Sequence, residues 1–403
     1  MPSETSVVLP DSLVSDLVNR IGSLTDALQK ETTLLYERRD EIRDHMKNAP
    51  GALKLGTLPG HSFPVTVEPD LPIHAIDGAH VAKADRGAAY SLSCVVGLSP
   101  SGIISRQRAC TAVMPHFMGL SSISGGLMTM QEIMMAVELA EGSPSALVLI
   151  DGSRLSAFIS INQFYEAILK DGLDALREWR RQAAMGANEG PSATLAEFEA
   201  RDWLTPFLTL PNIIGNLKLV TTKGLIKRYA PDLLHRFDDQ AVANTVLELG
   251  EGTMIRFDHA DQNGQKLPPL HITNGEQAAK GEGYPFSAQA AKAGELLHTK
   301  GLAQLAQLYA RINPMHGVYK IEFNHGFLAQ TLFGVSGKAL LAKLIEWWGW
   351  NTAAVDIMEP YPAFVADRFV SEAVKVSELA LRDILVRKSE TDLLWNLGRP
   401  YRS

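Results

Sequence analysis

The sequence predicts an α/β fold built on a mixed sheet, and three observations lead there. Three β-rich segments, at 73–77, 88–97 and 102–114, precede a helical stretch at 122–141. Next comes Ala146-Leu147-Val148-Leu149-Ile150-Asp151, a continuous apolar run of the kind buried on both faces of a sheet. Strands, helix and strand in that order require both strand directions in one sheet. Third, two strands end alike, in Ala75-Ile76-Asp77-Gly78-Ala79 and Leu149-Ile150-Asp151-Gly152-Ser153.

The elements follow in order. Leu13, Leu17, Ile21, Leu24 and Leu28 recur at steps of four, four, three and four, one stripe of an amphipathic helix. Pro10 stops any earlier helix, and Asp11 or Ser12 can cap this one. Such a near-heptad seam packs on its own domain or on another helix. The Gly/Pro-rich residues 49–72 separate this helical arm (1–60) from the body (61–403). In the body, Ser99-Pro100-Ser101-Gly102 is a turn between two strands, and Met128, Ile133, Met134, Val137 and Leu139 have helical spacing. Residues 158–182 are helical again. Gly186, Asn188, Gly190, Pro191 and Ser192 give 185–194 the character of a linker, so a helical insertion or lid is expected around 158–215. Later strands are expected at 217–222, 253–258 and 318–323. Helices are expected at 231–247, 288–310 and 337–348, with a last one from Pro362 to about residue 387. Trp347, Trp348 and Trp350 cluster at a helix end, where core packing is the better reading than base stacking.

Composition narrows the function classes. The 403 residues are 46% hydrophobic and 21% charged, enough for a full core and not the signature of disorder. Cys94 and Cys110 are too few for a disulfide framework or a Cys-rich zinc site and suit a reducing compartment. The N-terminus lacks the pattern of a signal peptide, and no apolar run reaches the roughly 18–20 residues that span a bilayer. A cytoplasmic protein without a membrane span is therefore expected. Lys and Arg number 38 against 45 Asp and Glu, a formal charge of −7, which excludes a basic-tail binder of nucleic acid. A local basic groove stays open, because carboxylates that hold metals add to the acidic count. No Gly-x-x-x-x-Gly-Lys-Ser/Thr loop is present, so the chain should not hydrolyse ATP by itself.

The chemistry is expected at the paired Asp-Gly strand ends. Asp77 and Asp151 lie 74 residues apart, room for two antiparallel strands and a crossover helix that return the second strand beside the first. Two carboxylates at one sheet edge repel each other and would hold a divalent cation, Mg²⁺ or Mn²⁺, through oxygen ligands. His74, His80, His116, His316 and His325 show no metal-ligand spacing.

These strand ends, the helix between them with Glu132 and Glu138, and Pro360-Tyr361-Pro362 before a long helix resemble the NurA nucleases. The resemblance runs from about residue 73 to the last helix and implies a ribonuclease-H-like mixed sheet flanked by helices, with an N-terminal helical arm. It implies a metal-dependent deoxyribonuclease, using Mn²⁺ or Mg²⁺, that forms a homodimer. Its implied partners are DNA and a HerA-type hexameric ATPase, in DNA end processing or phage defence. By the same resemblance Asp77 and Asp151 bind metal, Glu132 is preferred over Glu138 as the third acid, and Lys223 meets a phosphate. The family's Tyr-Pro-Tyr-Pro and Ala-His are replaced here by Glu359-Pro360-Tyr361-Pro362 and Ala366-Asp367, which makes Asp367 a candidate hard-cation ligand. Two other readings stand beside this one. A NurA-like subunit that binds DNA or HerA without cutting would follow from the two departures, and an actin-like phosphotransferase would also place Asp-Gly turns on phosphates.

Overall fold

The computed structural model describes residues 11–48, 55–66, 69–85, 88–114, 119–217, 223–256, 305–324, 326–329, 331–332, 335–352 and 359–388. A nine-stranded mixed sheet forms the body. In chain order its strands are β1 (Gly56–Thr57), β2 (Ile73–Asp85), β3 (Ala88–Leu98), β4 (Ile104–Met114), β5 (Leu147–Asp151), β6 (Ile213–Leu217), β7 (Glu251–Arg256), β8 (Leu305–Ala310) and β9 (Tyr319–Asn324). Across the sheet they run β1-β7-β8-β9-β6-β5-β2-β3-β4. The pairs β2/β5 and β5/β6 are parallel, and the other pairs are antiparallel. The first three long strands form a meander, and α3 (Leu120–Gly142) carries the chain back so that β5 lies beside β2.

Both faces of the sheet are covered, which is why β5 is apolar throughout. Val148 and Ile150 join one core, with Met130, Met134 and Met135 of α3, Phe164 of α4 (Arg154–Asp171) and Phe207 of α7 (Leu204–Thr209). Leu147 and Leu149 face the other way, into a core with Phe327 of α10 (Gly326–Ala329) and Trp347 and Trp348 of α11 (Lys338–Asn351). The two indoles meet edge to face at 5.9 Å, in the core as their clustering suggested. α12 (Tyr361–Lys388) lies on this second face, where Ala366 and Val370 pack against Ala75 of β2 and Val96 of β3.

Between β5 and β6 the chain is helical: α4, α5 (Leu173–Ala184), α6 (Gly190–Ala200) and α7. The linker-like 185–194 is only a short turn, because Pro191 starts α6 and does not interrupt it. The expected helix 158–182 divides at Gly172, and 231–247 divides into a 3₁₀ turn, Pro231–Leu233, and α9 (Asp239–Val246), which Asp238 caps through Ala241 N. One expectation is overturned. Residues 305–310 are strand β8, buried along its whole length, and the rest of the expected helix 288–310 lies outside the described residues. Strand β6 ends at Leu217; residues 218–222, like 257–258 beyond β7, also lie outside the described residues.

The N-terminal arm is α1 (Asp11–Glu37) and α2 (Arg39–Lys47). Its later half is built into the body: Leu35, Ile42 and Met46 share a core with α9 and with α8 (Gly224–Tyr229). Arg43 clamps it further, with two 2.8 Å hydrogen bonds to Glu251. Of the Leu13–Leu28 seam only the Ile21 side chain is among the described residues, and it is 61% exposed. No described helix is long and apolar enough to cross a membrane.

Candidate functional site

The parallel register of β2 and β5 runs from Ile73 opposite Leu147 to Ile76 opposite Ile150. One residue further along each strand stand Asp77 and Asp151, so the two carboxylates leave adjoining strands at the same level. The strand end expected at Asp77 is absent. β2 continues to Asp85, because β3 pairs with it along its whole length, and only its partner β5 stops there. Asp77 is 3% exposed, and its Oδ1 accepts the Gly78 amide at 2.8 Å.

Gly78 has a second use. α3 crosses above it, and a Cβ built at Gly78 would stand 2.6 Å from Glu132 Oε1. The missing side chain thus admits the Glu132 carboxyl to the level of the two aspartates. Burial pushes that carboxyl well above the usual carboxylate range, and Asp77 and Asp151 push it the same way, against the Gly78 amide. The three acids line one cavity of 270 Å³, with Ser153, Ser156 and Ser160 on one wall and Ile76, Ile133, Ile150 and Phe207 among its apolar lining. Among the described residues no Lys, Arg or His lines it.

The turn after Asp151 is held from across the sheet. Glu322 of β9, wholly buried, accepts Ser153 Oγ on one oxygen and Arg154 N on the other, each at 2.8 Å. Gln307 of β8 donates to the same carboxylate at 3.0 Å. A carboxylate at the first turn of α4 meets the positive end of the helix dipole. Its approach needs Gly215 of β6, where a Cβ would lie 2.7 Å from the Gly152 carbonyl and 3.2 Å from Glu322 Cβ. The buried Arg154 guanidinium bonds the carbonyls of Leu208, Leu210 and Ile213. Burial lowers its pKa to about 10, opposed by the charge of Glu322.

The remaining candidates are placed elsewhere. Glu138 faces Arg106 and Arg108, with which it forms ion pairs, and so ties α3 to β4. Lys223 does not line the cavity; it precedes α8 and donates to the Leu234 carbonyl. Asp367 does not line it either. It lies on the stripe of α12 that carries Ala363, Ala366 and Val370, on the face toward which the pleat turns Ala75, Asp77 and Asp151. Glu359 and the buried Pro360 lead directly into that helix. His116 and His325 lie outside the described residues, and His80 packs beside Gly125 of α3. Among the described residues no three His, Cys, Asp or Glu side chains are drawn together into a ready metal cage. The three acids share a cavity, not a closed coordination sphere. Its donors still suit a hard divalent cation: carboxylate oxygens, an excess of negative charge, and no lining cation to offset it.

Neither a protein-family model nor a curated protein matches the chain by sequence. Solved structures do match it by shape. The NurA nuclease from Sulfolobus solfataricus is similar over 94% of this chain and 98% of its own, with a TM-score of 0.54 at 15% identity. Another NurA structure covers 93% of this chain and 99% of its own, with a TM-score of 0.51 at 13% identity. A third, bound to dAMP and manganese, covers 87% and 93%, also with a TM-score of 0.51 at 13% identity. Over almost its entire length, therefore, this chain adopts the NurA fold.

Proposed function

We propose that the protein is a metal-dependent deoxyribonuclease that hydrolyses phosphodiester bonds. The observation that carries this reading is the in-register pair Asp77 and Asp151 with Glu132 brought over Gly78 into the same cavity. It is supported by the NurA fold, one of whose solved members is described as a nuclease and another as bound to dAMP and manganese. Asp77, Asp151 and Glu132 would hold the cation, with Asp367 as a further oxygen ligand from α12. A bound Mn²⁺ or Mg²⁺ supplies Lewis-acid charge at the phosphate and a water acidic enough to attack it. The chain's own part is to fix the carboxylates, through the β2/β5 register and the Glu322-held turn, and to bar water from the apolar side of the cavity. Lys223, held by the Leu234 carbonyl, is given no part in this scheme. The natural setting we infer is a homodimer acting on DNA ends with a HerA-type hexameric ATPase, in repair or defence.

Replacing either Asp77 or Asp151 by Asn keeps the shape and removes a ligand charge. Cleavage of linear DNA with Mn²⁺ should then be lost, as it should be on addition of EDTA to the wild type. Full activity in either purified variant would overturn the assignment. A second reading, a DNA-binding subunit without catalysis, is favoured by Glu359 and Asp367 standing where the family has Tyr and His. It predicts no cleavage by the wild type at any Mn²⁺ or Mg²⁺ concentration.

A further inference from the structure

β6 adds a third member to the row begun by Asp77 and Asp151. Its register sets Asn216 opposite Asp151, just as β5 sets Asp151 level with Asp77. Ile213 of β6 joins the core of Val148 and Ile150, while Ile214 joins that of Leu147 and Leu149. With a period of two, Asn216 therefore points to the same face as Asp151 and Asp77. Neighbouring strands are about 4.8 Å apart, so the amide and the carboxylate stand side by side. The backbone reinforces the register, since Gly152 N donates to the Asn216 carbonyl at 2.7 Å.

The side chain itself is anomalous. Asn216 is 3% exposed, and its Nδ2 has no hydrogen-bond partner. A buried amide donor left without an acceptor weakens the fold, and buried polar groups are otherwise paired almost without exception. Asn212, four residues earlier, shows the ordinary case: its Nδ2 reaches the carbonyls of Ala140 and Ala146. A packing role would have been filled better by an apolar side chain of the same size. What Asn216 adds beside Asp151 is a donor.

We propose that Asn216 is a positioning residue of the cation site: its side-chain amide is the donor that fixes the Asp151 carboxylate when a divalent cation occupies the row. A carboxylate that binds metal through one oxygen is oriented by a hydrogen bond to the other, and losing that bond costs roughly 10–100-fold in metal affinity or activity. This inference rests on the metal-dependent reading above. It differs from that reading in assigning work to a neutral side chain on a strand that holds none of the acids.

The test is Mn²⁺ alone, titrated calorimetrically into the full-length wild type, Asn216→Leu and Asp151→Asn, with thermal unfolding of each in EDTA. Leucine keeps the volume and removes the orphan donor. Asn216→Leu should bind Mn²⁺ roughly 10–100-fold more weakly than wild type, while its metal-free Tm stays level or rises. A purely structural asparagine predicts the opposite pairing, a lowered Tm with unchanged affinity. Unchanged affinity, or affinity and Tm falling together, would overturn the inference. Wild type that binds no Mn²⁺ would overturn the reading beneath it as well; wild type that binds it, with Asp151→Asn weakened and Asn216→Leu unchanged, would overturn this inference alone. Should Leu not be accommodated, Asn216→Ala poses the same question with less volume.

Discussion

A side chain that is missing sets the depth of the site. Gly78 lies under Glu132 Oε1 and under Met128 Cγ, at 2.6 and 2.9 Å from where a Cβ would stand. The Glu132 carboxyl could clear that Cβ only by moving away from the aspartates. Gly78→Ala should leave the sheet intact, since glycine costs more than alanine inside a strand and Gly78 has no left-handed φ, and still displace the carboxyl by about an ångström. A misplacement of that size costs on the order of 100-fold in rate. The check is kcat at saturating Mn²⁺ alongside the circular dichroism of the variant; kcat within about twofold of wild type would mean Glu132 has no part in the reaction. Asp77 and Asp151 were legible as a pair because Asp-Gly after an apolar run is a local pattern; that β2 runs on past Asp77 was not, since its pairing with β3 decides it. The choice of Glu132 over Glu138 was legible only as a preference: both lie on α3, and Glu138 differs by facing Arg106 and Arg108 across the sheet.

At the scale of elements, the decisive contact joins α4 to β9. Glu322 satisfies the first amide of α4, and its charge opposes the effect of burial on Arg154. Glu322→Ala would leave the Arg154 amide and the Ser153 hydroxyl without their acceptor, a loss of about 1–3 kcal/mol for each buried group so stranded. Glu322→Gln, which can still accept at the helix terminus, should cost less than Glu322→Ala. Urea unfolding of the two variants checks the order, and equal midpoints would refute the role given to the hydrogen bonds at the helix terminus. None of this could be read beforehand. Glu322 alternates with Lys320 and Asn324 along its strand, which reads as an ordinary half-solvated pattern, and its partners in the turn are 168 and 169 residues away. The strands and helices flanking the site were mostly visible from period and turn chemistry. Misreadings fell where tertiary burial decides: Leu305–Ala310 is buried on every residue and apolar at all but Gln307, a run that fits a buried strand and a buried helix equally well.

The whole molecule carries a net charge of −7, and among the described residues the cavity has no basic lining. Duplex DNA would meet little electrostatic attraction from a single copy, so a channel between copies is the natural way to concentrate the few cations. Light scattering at micromolar concentration should give the mass of two chains, and a clean monomer would refute the dimer. With ATP and a matched HerA-type ATPase, cleavage should quicken; a rate equal to the nuclease alone would refute the coupling. The grip of Glu322 on the turn after Asp151 also has a consequence for biosynthesis. The ribosome releases Asp77, Glu132 and Asp151 long before β9, and until β9 has emerged the turn beside Asp151 lacks its far-side clamp. A nascent chain, or one cut short before residue 322, would carry all three cavity acids without the framework that aims them. On the nuclease reading proposed above, such an unfinished chain would cleave DNA poorly.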